Sequence, residues 1–295
     1  MIFKKWMKFV IDNVENKLHS CLPQETIQPK RLHEAMRYAT LHVGKRFRPL
    51  LCHAAGELIG APINSRNTAA VALEMIHVYS LVHDDIPFID NDTLRHGKPA
   101  VHIQYDIPTA LLVGNALQSQ AFLTLTDNTL NSTCQTSLIR ELSSASGSLG
   151  MIGGQAIDIE SIGLKLSREQ IKKMHHMKTG KLLRAAVRMG VLSSGKIKLS
   201  DAIIKPLDKY ANAVGLAFQI VDDILDITSD SIKLGKTSGK DKANNKPTYV
   251  QILGLDKSCE LVAQLHAQSR AAIIPFGINA HRLRDLADLI VNRIN

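Results

Sequence analysis

The chain has 295 residues, is 45% hydrophobic and only 4% aromatic, and carries a formal net charge of +9. No apolar run reaches the ~18–20 residues a membrane span requires. The positive surplus forms no basic run with interleaved aromatics, which argues against nucleic acid and for anionic small substrates.

Taken in chain order, the elements read as helices. "MIFKKWMKFVIDNVENKL" is broken by Lys, Asp and Glu. It lacks the apolar h-region of a signal peptide and reads as an amphipathic first helix of a cytoplasmic chain. Residues 48–60, 67–85, 108–127, 168–192 and 207–228 are too long for strands and rich in Ala, Leu and Met. Several are apolar nearly all round, as central helices are. Gly-, Pro- and Ser-rich punctuation separates them, and no alternating strand pattern stands out. The linkers are short and no composition break divides the chain. The expected fold class is all-α: a single domain over 1–295, a bundle of about ten helices, with little but packing in the last third. The four cysteines, Cys21, Cys52, Cys134 and Cys259, show no metal-ligand or CxxC spacing, so they read as reduced thiols.

Two acidic motifs interrupt the apolar helices. In "SLVHDDIPFIDND" (80–92) the first motif holds Asp84, Asp85 and Asp90, and "FQIVDDILDIT" (218–228) holds Asp222, Asp223 and Asp226. At ~100° per residue, Asp222 and Asp226 share one helix face. Asp84 and Asp90 would be ~120° apart on a continuous helix. Pro87 interrupts that helix, and a bend there brings Asp90 back toward Asp84. Carboxylates on an apolar wall repel one another and are penalised by desolvation. Either arginine or lysine partners compensate, or a metal does. Oxygen ligands without clustered Cys or His point to Mg²⁺, which completes its shell with substrate phosphate.

Nitrogen donors interleave with the acids. "VGKRFRP" sets Lys45, Arg46 and Arg48 before an apolar helix, and Arg95 and Lys98 follow the first acids. Lys178, Thr179 and Lys181 lie in "HMKTGKLLR", and a Gly- and Lys-rich loop follows the second acids. Each alone reads as a solvated charged segment; together they suit two phosphorylated ligands. His77 lies seven residues before Asp84 on the same face, ~10 Å deeper along the axis. Gln219 is a polar group in a buried setting and needs a partner.

With these motifs the chain resembles the trans-isoprenyl diphosphate synthases, of the bacterial farnesyl diphosphate synthase type. "GKRFRP", "EMIHVYSLVHDDIPFIDNDTLRHGKP", "GGQAIDIE", "HHMKTGKLLRAAVRMG" and "GLAFQIVDDILD" with "LGKTSGKD" occur in the family's order over nearly the whole chain. The resemblance implies a helical bundle around a deep central cavity (the isoprenoid synthase fold), a homodimer, and acid motifs facing each other at the cavity mouth. It implies three Mg²⁺ ions with substrate bound, on Asp84, Asp85, Asp90, Asp222, Asp223 and Asp226. Arg95, Lys178 and Lys236 would contact an allylic diphosphate, with Thr179 and Gln219 oxygens near its cation. Lys45, Arg48, His77 and position 96 would hold isopentenyl diphosphate. The implied reaction is a geranyltranstransferase condensation giving a C15 product, behind a lid at 228–246. Tyr79 and Ser80, five and four residues before Asp84, would set product length. A geranylgeranyl-length product, a non-catalytic regulatory subunit and a terpene cyclase stand as alternatives. His96 replaces an expected Arg in "DTLRHG", which predicts weaker isopentenyl diphosphate binding that improves as pH falls toward ~6.5. Asn115 replaces a common Asp, a lesser departure.

Overall fold

The computed structural model describes residues 1–196, 199–228 and 248–293. The helical reading holds closely. Helix α1 (Phe3–Cys21) turns Trp6, Val10, Val14 and Leu18 inward at four-residue spacing, the single stripe an amphipathic helix buries. Helices α2 (Lys30–Thr40), α3 (Phe47–Leu58) and α4 (Ile63–Asp84) follow. Every residue of α4 from Ala69 to Ile76 is buried, so this helix is central.

After a short α5 (Val101–Gln104) come α6 (Ile107–Thr124), α7 (Ser132–Ser146) and α8 (Met151–Glu160). Asp106 caps α6 by accepting from the Thr109 amide at 2.7 Å, and Asn131 caps α7 through the Cys134 amide at 2.8 Å. The expected helix over 168–192 runs its full length but in three pieces. They are α9 (Arg168–His175), a π-turn (His176–Gly180) and α10 (Lys181–Leu192). Helix α11 (Asp201–Thr228) is the longest described. After the undescribed stretch come α12 (Tyr249–Leu253), α13 (Leu255–Ala272), a 3₁₀ segment (Ile274–Ala280) and α14 (His281–Val291). Helix α4 packs most extensively on α6, α3 on α10, and α11 on α13.

One element escaped the sequence reading. Leu94–Arg95 and Lys98–Pro99 pair as a two-stranded antiparallel hairpin. His96 and Gly97 form its turn with φ of 53° and 77°, the doubly left-handed geometry that suits the twist of a tight hairpin. Two-residue strands carry no periodic signal. No helix among the described residues is long and apolar enough to cross a membrane, and the four cysteines are free thiols.

Candidate active site

The first acid motif forms as α4 ends. Asp84 is its last helical residue and Asp85 its C-cap. The chain then folds back. The Asp90 amide donates to the Asp84 carbonyl at 2.8 Å, and the Asp92 amide to the Asp85 carbonyl at 3.1 Å. The bend expected at Pro87 is therefore real, and it returns Asp90 to the backbone of Asp84. Burial pushes the Asp84 carboxyl up to about 6, opposed by the Lys178 ammonium and reinforced by Asp90. Burial also raises Asp85 to about 6, opposed by Arg95.

Arg95 sits in the hairpin and chelates Asp85 through Nε, at 3.1 and 3.2 Å, and through Nη2, which also reaches Asp92 at 3.4 Å. At the second motif, Arg293 Nη2 pairs with Asp222 Oδ1 at 2.8 Å. Its guanidinium also lies over the Phe218 ring. Each motif thus has one carboxylate already matched by an arginine. Arg293 was missed because the last third shows no motif; only its distance in space from Asp222, not in sequence, reveals it.

The π-turn joins the two motifs. Lys178 Nζ bonds Asp158 Oδ2 at 2.6 Å. The negative charges of Asp84, Asp158 and Asp90 raise its pKa against the opposing effect of burial, the largest single influence. The next residue faces the other way: Thr179 Oγ1 donates to Gln219 Oε1 at 3.0 Å. Gln219 Nε2 donates in turn to Asp223 Oδ1 at 2.9 Å, and the Tyr249 amide to Asp223 Oδ2 at 2.9 Å. The partner Gln219 needed is therefore Thr179 on one side and Asp223 on the other. A one-residue helical expansion sets Lys178 on the first motif and Thr179 on the helix of the second; such bulges concentrate at functional sites. Gly154 of α8 allows this, since a Cβ there would meet the Lys178 amide nitrogen at 2.1 Å. Asp158 was not singled out from sequence.

The basic residues divide by role. Arg46 is buried, 2% exposed, and takes a left-handed φ of 50°. It pairs with Glu15 of α1 at 2.7 Å and Glu74 of α4 at 2.8 Å, and donates to the Thr40 carbonyl. Its neighbours remain for the site. Arg48 feels the charges of Glu74 and Asp222, and its Nε is buried without a hydrogen-bond partner. Lys45 is exposed, and burial of its ammonium end together with nearby Arg293 lowers its pKa while Asp222 raises it. Arg293 Nε and Nη1 are likewise buried without partners. Such orphaned donors beside Asp222 suit an arriving anion.

His77 is half-buried. Burial, then Arg48, His96, Arg95 and Arg46, hold its pKa well below the usual imidazole value. His96 is exposed, yet partial burial and the cations Arg95, Arg46 and Lys45 push it down to about 4. In the substrate-free protein this ring is therefore neutral at pH 6.5.

Tyr79 is buried, with its ring edge-on to His83 at 5.7 Å and its hydroxyl unpartnered. The Ser80 hydroxyl donates to the His77 carbonyl at 2.8 Å. Lys236, and all of 228–246 except Thr228, lie outside the described residues.

Among the described residues no three carboxylate, imidazole or thiol groups converge as a ready metal cage. The oxygen-only donor set nonetheless fits Mg²⁺, which takes a few carboxylates and completes its shell with water and phosphate oxygens. Asp223 accepts protein donors on both oxygens, from Gln219 and the Tyr249 amide, as Asp85 does from Arg95.

Comparison with known proteins bears on the same residues. The polyprenyl synthetase family model matches residues 29–272. The farnesyl diphosphate synthase of Escherichia coli is 41% identical over 266 residues, covering 88% of this chain and 88% of that protein. Geranylgeranyl pyrophosphate synthase 4 of Arabidopsis thaliana is 39% identical over 295 residues, covering 99% and 78%. A crystal structure of a geranyltransferase from Helicobacter pylori, complexed with magnesium and isoprenyl diphosphate, superposes with a TM-score of 0.86 at 31% identity, covering 99% and 97%. With acid motifs, π-turn and basic segment all inside the matched span, the chain belongs to the polyprenyl synthetase family.

Proposed function

We propose that the chain is a Mg²⁺-dependent prenyltransferase of the farnesyl diphosphate synthase type. It condenses isopentenyl diphosphate head-to-tail with dimethylallyl or geranyl diphosphate, releasing diphosphate. The observation that carries this reading is the π-turn, which puts Lys178 within the electrostatic influence of the first acids and bonds Thr179 to the helix of the second.

In this reading Asp84, Asp85 and Asp90 on one side, and Asp222 and Asp226 on the other, hold three Mg²⁺ ions. When bound, these ions neutralise the charge that develops on the departing diphosphate. Asp223, the remaining acid of the second motif, also positions Gln219. Arg95 and Arg293 keep Asp85 and Asp222 compensated until metal and substrate arrive, then turn to phosphate oxygens. Lys178, with Lys236 from outside the described residues, contacts the allylic diphosphate. The C1–O bond breaks with its electron pair going to the diphosphate oxygen. Thr179 Oγ1 donates its hydrogen bond to Gln219 Oε1, so its lone pairs are free to face the allyl cation. Lys45, Arg48, His77 and His96 hold isopentenyl diphosphate, whose double bond forms the new C–C bond. The proton then leaves to a diphosphate oxygen. Apolar walls keep water from the cation.

A buried Tyr79 five residues before Asp84 supports a C15 product. Exposed Leu111, Leu112 and Leu123 on α6 support a homodimer through that helix; a monomer in sedimentation velocity at assay concentration would count against it. The proposed location is the cytoplasm. The test of function is labelled isopentenyl diphosphate with dimethylallyl or geranyl diphosphate, with Mg²⁺ or chelator, followed by chain-length analysis. The expected result is Mg²⁺-dependent C15 product. Absence of any prenyl product with Mg²⁺ present would refute the reading.

A further inference from the structure

The reaction leaves one concavity unused. A groove of about 830 Å³ lies between α9, the π-turn, α11 and α13, a volume suited to a small ligand. None of the residues assigned to the diphosphate site lines it. The groove exists because the elements around it carry small side chains: Gly180, Ala213, Ala271 and Ala272 line it where larger residues would fill it.

The lining has two chemistries. Ala213, Leu216, Leu265 and Ala272 form an apolar trough. Lys172, Lys173 and Lys209 stand on the rim against a single acid, Glu169. All three lysines are exposed, and none forms an ion pair among the described residues. Their charges add at one edge of a low-dielectric wall, which concentrates positive potential there.

A buried imidazole also lines the groove. His175 is 7% exposed, with its ring 5.7 Å from that of Tyr249 and beside the Gln219 side chain, which hydrogen-bonds it.

We propose that this groove binds a soluble single-chain amphiphile carrying a phosphate headgroup. The headgroup meets Lys172, Lys173 and Lys209, with a polar atom in reach of His175. The chain lies over Ala213, Leu216 and Leu265. An anion without a chain would leave the trough wet, and a neutral chain would leave the lysines unmatched. The occupant would touch both ends of the turn that carries Lys178 and Thr179. That consequence rests on the function proposed above; the binding does not.

The test is calorimetric titration of the full chain with n-octyl phosphate. One molecule should bind, at least tenfold more tightly than inorganic phosphate. Lys172→Glu with Lys209→Glu should weaken it at least tenfold, and Ala213→Trp should do the same by filling the trough. Thermal unfolding checks that each variant is folded, and the double lysine variant, changed only at exposed positions, keeps the test valid if Ala213→Trp is not. Asp84→Asn with Asp222→Asn should leave the binding intact. Equal affinity for inorganic phosphate, or unchanged affinity in the lysine variant, would overturn the proposal. Loss of binding in the aspartate variant alone would place the ligand in the acid-lined site and overturn it too. Co-sedimentation with phosphatidylglycerol vesicles, abolished by the lysine changes, would make this face a membrane surface instead.

Discussion

Asp84 and Asp85 illustrate what a buried carboxyl does to a protein awaiting its metal. Both are raised to about 6 by burial. A carboxyl raised in the folded chain holds its proton more tightly there than in the unfolded chain. The folded state is therefore favoured at low pH, and that advantage is lost as pH rises from the unfolded value through about 6. Asp84→Asn removes the charge, so it should raise the melting temperature of the substrate-free protein by a few degrees at pH 8 and by little at pH 4.5. An equal effect at both pH values would show that burial of this charge is not what Asp84 opposes. At position 96 a neutral ring stands among three cations. His96→Arg supplies a phosphate fork and should lower KM for isopentenyl diphosphate about tenfold, the worth of one charge-assisted hydrogen bond. An unchanged KM would place the ring outside that subsite. The paired aspartates were legible because adjacent acids closing an apolar helix are conspicuous. Arg293, which pairs with Asp222, and Asp158, which pairs with Lys178, were not, because a salt bridge between distant segments leaves no local pattern.

At the scale of the element, the "GKRFRP" segment shows how a structural arginine presents two functional ones. Arg46 turns inward to Glu15 and Glu74 through a left-handed backbone, which leaves Lys45 and Arg48 to the Asp222 side. Sequence grouped the three as equals; only the burial of Glu74 in the middle of α4 separates them. Arg46→Leu would strand two acids, and should cost about 3–5 kcal/mol in urea unfolding. A loss under about 1 kcal/mol would mean the pairs are not buried in solution. The π-turn was invisible for a different reason, since one inserted residue hardly disturbs the apolar periodicity of 168–192. On α4 itself, Tyr79→Ala opens the wall one and a half turns below Asp84. Product analysis should then show chains longer than C15; a product distribution unchanged from the wild type would remove Tyr79 from the floor.

At the scale of the molecule, helix periodicity made most of the bundle legible, because long apolar faces must be buried against one another. What periodicity could not supply is which helix ends meet. Lys178 and Thr179 supply it from one turn, the first through the charge it shares with Asp84 and the second through its bond to Gln219. The whole account therefore rests on both acid motifs gripping the same diphosphate through metal. Calorimetric binding of inorganic pyrophosphate tests this most directly, in Mg²⁺ and in chelator, for the wild type, Asp84→Asn and Asp222→Asn. The account predicts tight binding only with Mg²⁺, and a loss of at least tenfold in each variant. Binding that survives chelator undiminished, or that either variant leaves intact, would contradict it.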